Sequence, residues 1–164
     1  YKKLNFFNNF FLQKNKNLEY FIEYILLNKN IDFYYKKDKK KMKRIFEVYK
    51  KKIDKFSDLE EIIKIYYDDF FEIKSNKILD EKFDILKKDL IINLDKIKIW
   101  DSLNITECLN NFVEKNNIKF ILLGKPLRLI LINDQNGPSI NEILCILGKK
   151  NTFIRLNKYI NKAN

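Results

Sequence analysis

A chain of 164 residues, 46% of them hydrophobic, can close one core or two small ones. No apolar run approaches the roughly 18–20 residues of a membrane span. Without a single histidine, a histidine-based catalytic triad is excluded and a zinc site is disfavoured within this segment. The net charge of +11 is unevenly spread: residues 36–55 carry eleven Lys/Arg against three Asp/Glu, residues 56–118 nine against fourteen, and residues 119–164 eight against two. Two basic segments bracket an acidic one, and a fold bringing them together would offer a positive surface to a polyanion. An A+T-rich genome accounts for many lysines but not for the acidic middle. Cys108 and Cys145 have no partner spacing and read as two reduced, buried thiols. Tyr1 in place of methionine reads as the start of a fragment, with any transit peptide upstream.

In chain order, residues 3–12 are aromatic and helix-like, their rings read as core. Asn17 caps a helix over Leu18–Leu27, with Leu18, Phe21, Ile22, Ile25 and Leu26 on one face. Asn28-Lys29-Asn30 ends it, and Ile31–Tyr35 is a short apolar piece of undecided type. Lys36–Lys55 reads as one lysine-rich helix with Ile45, Val48, Tyr49 and Ile53 on its buried side. Ser57-Asp58-Leu59-Glu60 is a capping box that opens a helix through Phe71. The adjacent carboxylates Asp68 and Asp69 point apart on a helix and read as surface. Ser75-Asn76-Lys77 is the best boundary, giving a bundle over 1–74 and a second helical domain over 75–164. Helices follow at Asp80–Leu94 and at Asn104–Asn116, the latter capped by Asn104 with Glu107. Trp100 lies between them as core filler, and Thr152–Ile160 closes the chain as an amphipathic helix through Phe153, Leu156 and Ile160.

Residues 124–150 hold all three glycines and both prolines. Gly124-Lys125-Pro126 is expected to break the chain. Leu127–Ile132 is apolar but for Arg128 and has strand-like periodicity, and Asn133–Pro138 is a polar turn run. A helix then starts, either at Gly137 with Pro138 in its first turn or at Ser139 with Glu142 as a capping box. Ile140, Ile143, Leu144 and Leu147 form its apolar face. Gly148 should end it, with Lys149 and Lys150 at its negative end.

Pro126-Leu127-Arg128, Pro138 ten residues after the arginine, Leu147-Gly148-Lys149 and Arg155-Leu156-Asn157-Lys158 together form an ordered set. In that set the chain resembles bacterial-type glutamyl-tRNA synthetase at its C-terminal, anticodon-binding end. Phe6, Asn8, Phe11, Leu12 and Trp100 fall loosely on positions of the same family. The resemblance implies an all-α fold, two small helical bundles packed as an anticodon-binding cage, and it alone makes Leu127–Ile132 a helix. It implies that Arg128 contacts the first anticodon base and that Gly137, Pro138 and Ile140 hold the middle one. Where the family often carries threonine or serine before the proline, Gly137 lacks the hydroxyl. Aligning Tyr66-Tyr67-Asp68-Asp69-Phe70 with the family's aromatic-acidic segment puts Lys52, flanked by Lys51 and Lys55, where an arginine reads the third base. Lysine has no planar fork for a two-toothed contact.

The family's catalytic signatures are absent here, since Lys41-Met42-Lys43-Arg44 lacks the serine of the second one. This segment is therefore expected to hold no catalytic site and no cofactor, with ATP and Mg2+ used by the parent enzyme to attach glutamate to tRNA. The implied partner is a glutamate-accepting tRNA, with a glutamine-type tRNA as a second candidate. A monomer is expected, without a membrane partner. The Asn, Lys and Ile bias points to a plastid, apicoplast or mitochondrion, or else to the cytoplasm of an A+T-rich bacterium. Two other readings compete: a free-standing basic helical RNA- or DNA-binding module, and a helical protein-interaction domain.

Overall fold

Residues 17–53, 55–68, 71–73 and 81–162 are described by a computed structural model, and among them the fold is all-α, with eight helices and no strand. The aromatic stretch 3–12 with Phe6, Asn8, Phe11 and Leu12, the residues Asp69 and Phe70, the Ser75–Lys77 boundary and Asp80 lie outside the described residues. The chain divides into two compact units, Tyr1–Asp68 and Asp69–Asn164.

In the first unit, asparagine and aspartate side chains set the helix limits. Asn17 Oδ1 accepts the Glu19 amide at 3.1 Å to start α1, Leu18–Leu27. Asn28 then ends α1 through its own amide and starts α2, Lys29–Lys37, by accepting from the Asn30 amide at 3.0 Å. The undecided Ile31–Tyr35 piece is thus helical, with Ile31 fully buried. Asp38 repeats the device for α3, Lys39–Tyr49, accepting from the Lys41 amide at 2.9 Å. The single lysine-rich helix expected over 36–55 is therefore corrected. Asp38 is extended (φ −154, ψ 93) and interrupts it, and residues 50–52 form a turn.

The helix α4 spans Asp58–Tyr67 and stops short of Phe71. Its expected capping box does not form: Ser57 makes no capping bond, and Asp58 Oδ2 instead accepts from the Lys55 amide at 3.1 Å. Glu60 is drawn away by Tyr24, whose hydroxyl donates to it, and by Asn28 Nδ2 at 2.6 Å. Partial burial, then that bond to Glu60, pushes the Tyr24 phenol up to about 12. Phe21 stacks on Phe46 at 4.6 Å, and Phe56 leans on both. Each such buried ring or aliphatic chain contributes roughly 1.5–3 kcal/mol.

The second unit comprises α5 (Glu81–Asp95), α6 (Ser102–Lys115), α7 (Ile121–Ile132) and α8 (Ile140–Lys162). The cap of α6 is Asp101, one helical turn before the expected Asn104, whose amide it accepts at 2.8 Å. In α8 the arm carrying Ile140, Ile143, Leu144 and Leu147, all buried, ends at Gly148 (φ 75, ψ 162), and a second arm resumes at once. That backbone region is essentially closed to residues with a Cβ. Lys149 serves a different helix end from the one expected: its Nζ donates to the Asp95 and Ile97 carbonyls at 2.6 and 3.0 Å, at the negative end of α5. Trp100 Nε1 donates to the Leu144 carbonyl at 3.0 Å, and Asn141 joins α8 to Ser102 and Thr106 of α6. Among the described residues neither cysteine is in a disulfide, both are half-buried rather than buried, and burial raises the Cys108 thiol. Among the described residues no helix is long and apolar enough to cross a membrane.

Candidate nucleic-acid interface

Gly124 and Pro126 do not break the chain. They lie inside α7, whose start is tightened by amides of Leu122, Leu123 and Gly124 donating to the Lys119 and Phe120 carbonyls. Proline has no amide to give, so in the second turn it removes one ladder bond without ending the helix. Leu127, Ile130 and Leu131 are fully buried, which favours a buried helix over the strand that alternation suggested. The helix ends at Asn133 in the left-handed region (φ 57).

The following loop turns on Asp134, which accepts the Asn136 amide at 2.8 Å, and delivers Pro138 to the start of α8. Of the two possible starts, Ser139 with Glu142 forms: the carboxylate accepts the Ser139 amide at 3.2 Å and its hydroxyl at 2.6 Å. Gly137 allows the loop to close down on α7. A Cβ there would lie 3.2 Å from Ile132 Cδ1 and 3.7 Å from Arg128 Cδ. Pro138 and Ile140 are buried beneath the corner.

Arg128 is half-buried, and its Nε donates to the Pro138 carbonyl at 2.8 Å. Among the described residues no carboxylate pairs with it, and its two terminal nitrogens make no hydrogen bond. The inner nitrogen thus fixes the plane of the guanidinium while the outer pair stays available. That is the arrangement for a two-toothed contact with a base edge or a phosphate. The structure therefore brings together Arg128, Gly137, Pro138 and Ile140 at one corner of the second unit.

Lys51, Lys52 and Lys55 belong to the first unit, at and just after the turn that follows α3. All three are exposed. The Lys52 amide donates to the Tyr49 carbonyl at 2.7 Å, and Lys55 Nζ lies 3.9 Å from Asp58. Lys51 has no ion pair among the described residues.

Sequence reasoning missed how many cations are engaged internally. Arg155 is 2% exposed; its Nη1 donates to the Leu131 carbonyl and its guanidinium lies 3.8 Å over the Phe71 ring. Lys158 donates to the Phe71 carbonyl at 3.2 Å, and Lys41 to that of Tyr66 at 2.7 Å. The only advance signal was place: Arg155 falls on the buried face beside Thr152 and Leu156. Lys119, Lys125 and Lys150 are exposed and unpaired among the described residues. No group of three or more His, Cys, Asp or Glu is placed there to hold a metal.

A family model described as an anticodon binding domain matches residues 16–160. The chain is 26% identical over 170 residues to a glutamate–tRNA ligase of Borrelia recurrentis, covering 96% of this chain and 33% of that protein. A glutamate–tRNA ligase of Flavobacterium psychrophilum is 32% identical over 90 residues, 55% of this chain and 18% of its own. The crystal structure of a glutamate tRNA ligase from Elizabethkingia meningosepticum shares the fold with a TM-score of 0.73 at 23% identity, over 98% of this chain and 32% of that one. The chain thus spans a third or less of the length of these relatives.

Proposed function

The chain belongs to the anticodon binding domain family, and on that premise we propose that it grips the anticodon loop of a glutamate-accepting tRNA as the C-terminal part of a glutamate–tRNA ligase. The observation that carries this reading is Arg128, held at Nε by the Pro138 carbonyl with its outer nitrogens open, at the corner where α7 meets α8. Affinity then comes from lysines attracted to the phosphate backbone, and base choice from Arg128 and the buried corner beneath it. In this reading ATP and Mg2+ act elsewhere in the ligase, and this chain supplies tRNA selection. An organelle, or an A+T-rich bacterium, is the setting its composition favours.

At the third anticodon position Lys52 stands in place of a fork, so glutamine-type tRNA is a second substrate candidate. The test is filter binding of the full-length protein to glutamate-accepting tRNA and to duplex DNA of equal charge. The tRNA should win, and Arg128→Ala should weaken tRNA binding by about 1–3 kcal/mol, the value of one good base contact. Equal affinity for the two nucleic acids, untouched by Arg128→Ala, would sink the proposal.

A further inference from the structure

We propose that Phe120 is the stacking wall for the base that Arg128 reads, so that the two residues form one nucleobase site across Gly124. The inference deepens the function proposed above and rests on it. Phe120, Gly124 and Arg128 recur every four residues and so share a face of α7 and the turn that opens it. A long side chain on a helix leans back over the turn that precedes its own Cα. Arg128 does so. The place a Cβ would take at Gly124 is 3.3 Å from Arg128 Nη1, and 3.5 and 3.6 Å from Cε1 and Cδ1 of the Phe120 ring.

With no side chain at Gly124, itself buried, the Phe120 ring and the Arg128 guanidinium end close over the helix backbone from either side. The glycine costs the helix roughly 1 kcal/mol relative to alanine, so it is not there for helix formation. Phe120 is 39% exposed, whereas Phe71, Phe83 and Phe112 of the same unit are at most 3% exposed. A ring left half in water beside unpaired donors has the two surfaces a nucleobase needs: a flat apolar face to stack on and donors for its polar edge. A phosphate would use Arg128 and the exposed Lys125 and gain nothing from the ring. The ring selects a base.

The experiment measures binding of the full-length protein to the anticodon stem-loop of a glutamate-accepting tRNA. The RNA is used intact, with a scrambled loop, and with an abasic site at each anticodon position in turn, against wild type, Phe120→Leu and Phe120→Tyr. Phe120→Leu should bind the intact loop about tenfold more weakly, the scale of one lost base–aromatic stack, while Phe120→Tyr keeps wild-type affinity. At one position the abasic site should weaken wild type and Phe120→Tyr about tenfold more than it weakens Phe120→Leu, which has only the Arg128 contact left to lose. If Phe120→Leu binds like wild type, or every abasic site weakens it as much as wild type, the stacking wall is wrong while anticodon reading stands. If wild type does not distinguish the intact from the scrambled loop, both fail.

Discussion

Arg128 and Arg155 place the same guanidinium in opposite settings. Arg155 is enclosed, donating to the Leu131 carbonyl in the last turn of α7 and lying 3.8 Å over the Phe71 ring. It neutralises the negative end of that helix and holds the 71–73 segment to the second unit. Arg155→Met should destabilise the protein by about 1.5–3 kcal/mol, the range for a buried bond from a charged donor, with tRNA selectivity kept below the new melting temperature. Calorimetry and stem-loop binding measured together would decide it. Unchanged melting with lost selectivity would place Arg155 at the RNA instead. Lys52 permits a test in the other direction. An exposed ammonium is a point charge, so Lys52→Arg should sharpen the preference between tRNAs differing at the third anticodon base by about 1 kcal/mol. Lys52→Ala should weaken both tRNAs alike. Charging assays with the two tRNA types read this out, and discrimination lost on Lys52→Ala with affinity spared would overturn it.

At the scale of the element, α7 trades helix stability for an open guanidinium. Gly124→Ala should stabilise the helix by up to about 1 kcal/mol. The new Cβ, 3.3 Å from Arg128 Nη1, would displace the guanidinium and weaken anticodon binding. A variant that melts higher and binds worse is the expected result, and one that binds as wild type would show the glycine to be dispensable at the site. The same helix shows what the sequence could carry. Its apolar residues were legible, but six consecutive large positions, apolar but for Arg128, fit a strand as well as a buried helix, and only the wider resemblance decided between them. Pro126 looked like a break because a proline's cost depends on where in the helix it falls. Asp38 was hidden for the opposite reason. In a run of lysines one aspartate reads as surface, although its carboxylate caps α3. Asn17, the Ser139–Glu142 pair and the apolar face of α8 were readable because cap and periodicity agreed. Phe120 was not, since nothing in the sequence shows that Arg128 leans back toward it.

For the whole molecule, the charge count identified two basic segments, but charge counted along a chain is not charge available at a surface. Lys149, Arg155 and Lys158 of the C-terminal segment all donate to backbone carbonyls inside the second unit. In the first segment Lys36 pairs with Asp32, Lys50 with Glu47, and Lys41 holds the Tyr66 carbonyl. Exposed and unpaired among the described residues of the two segments are Lys40, Lys43, Arg44 and Lys51 in the first and Lys119, Lys125 and Lys150 in the C-terminal one. Salt dependence separates the two kinds. Each phosphate neutralised releases counterions and adds roughly 0.7–0.9 to the slope of log affinity against log salt. Binding of tRNA should therefore fall steeply with salt. Lys125→Gln, next to the Arg128 corner, should lower that slope by about one such increment with melting unchanged. Lys149→Gln should leave the slope alone and lower the melting temperature, because it uncaps α5. The measurement is a salt titration of tRNA affinity for the three proteins, with a melting curve for each. A slope near zero in wild type would remove the polyanion partner altogether. A slope lowered as much by Lys149→Gln as by Lys125→Gln would mean that Lys149 leaves the α5 carbonyls to meet the RNA.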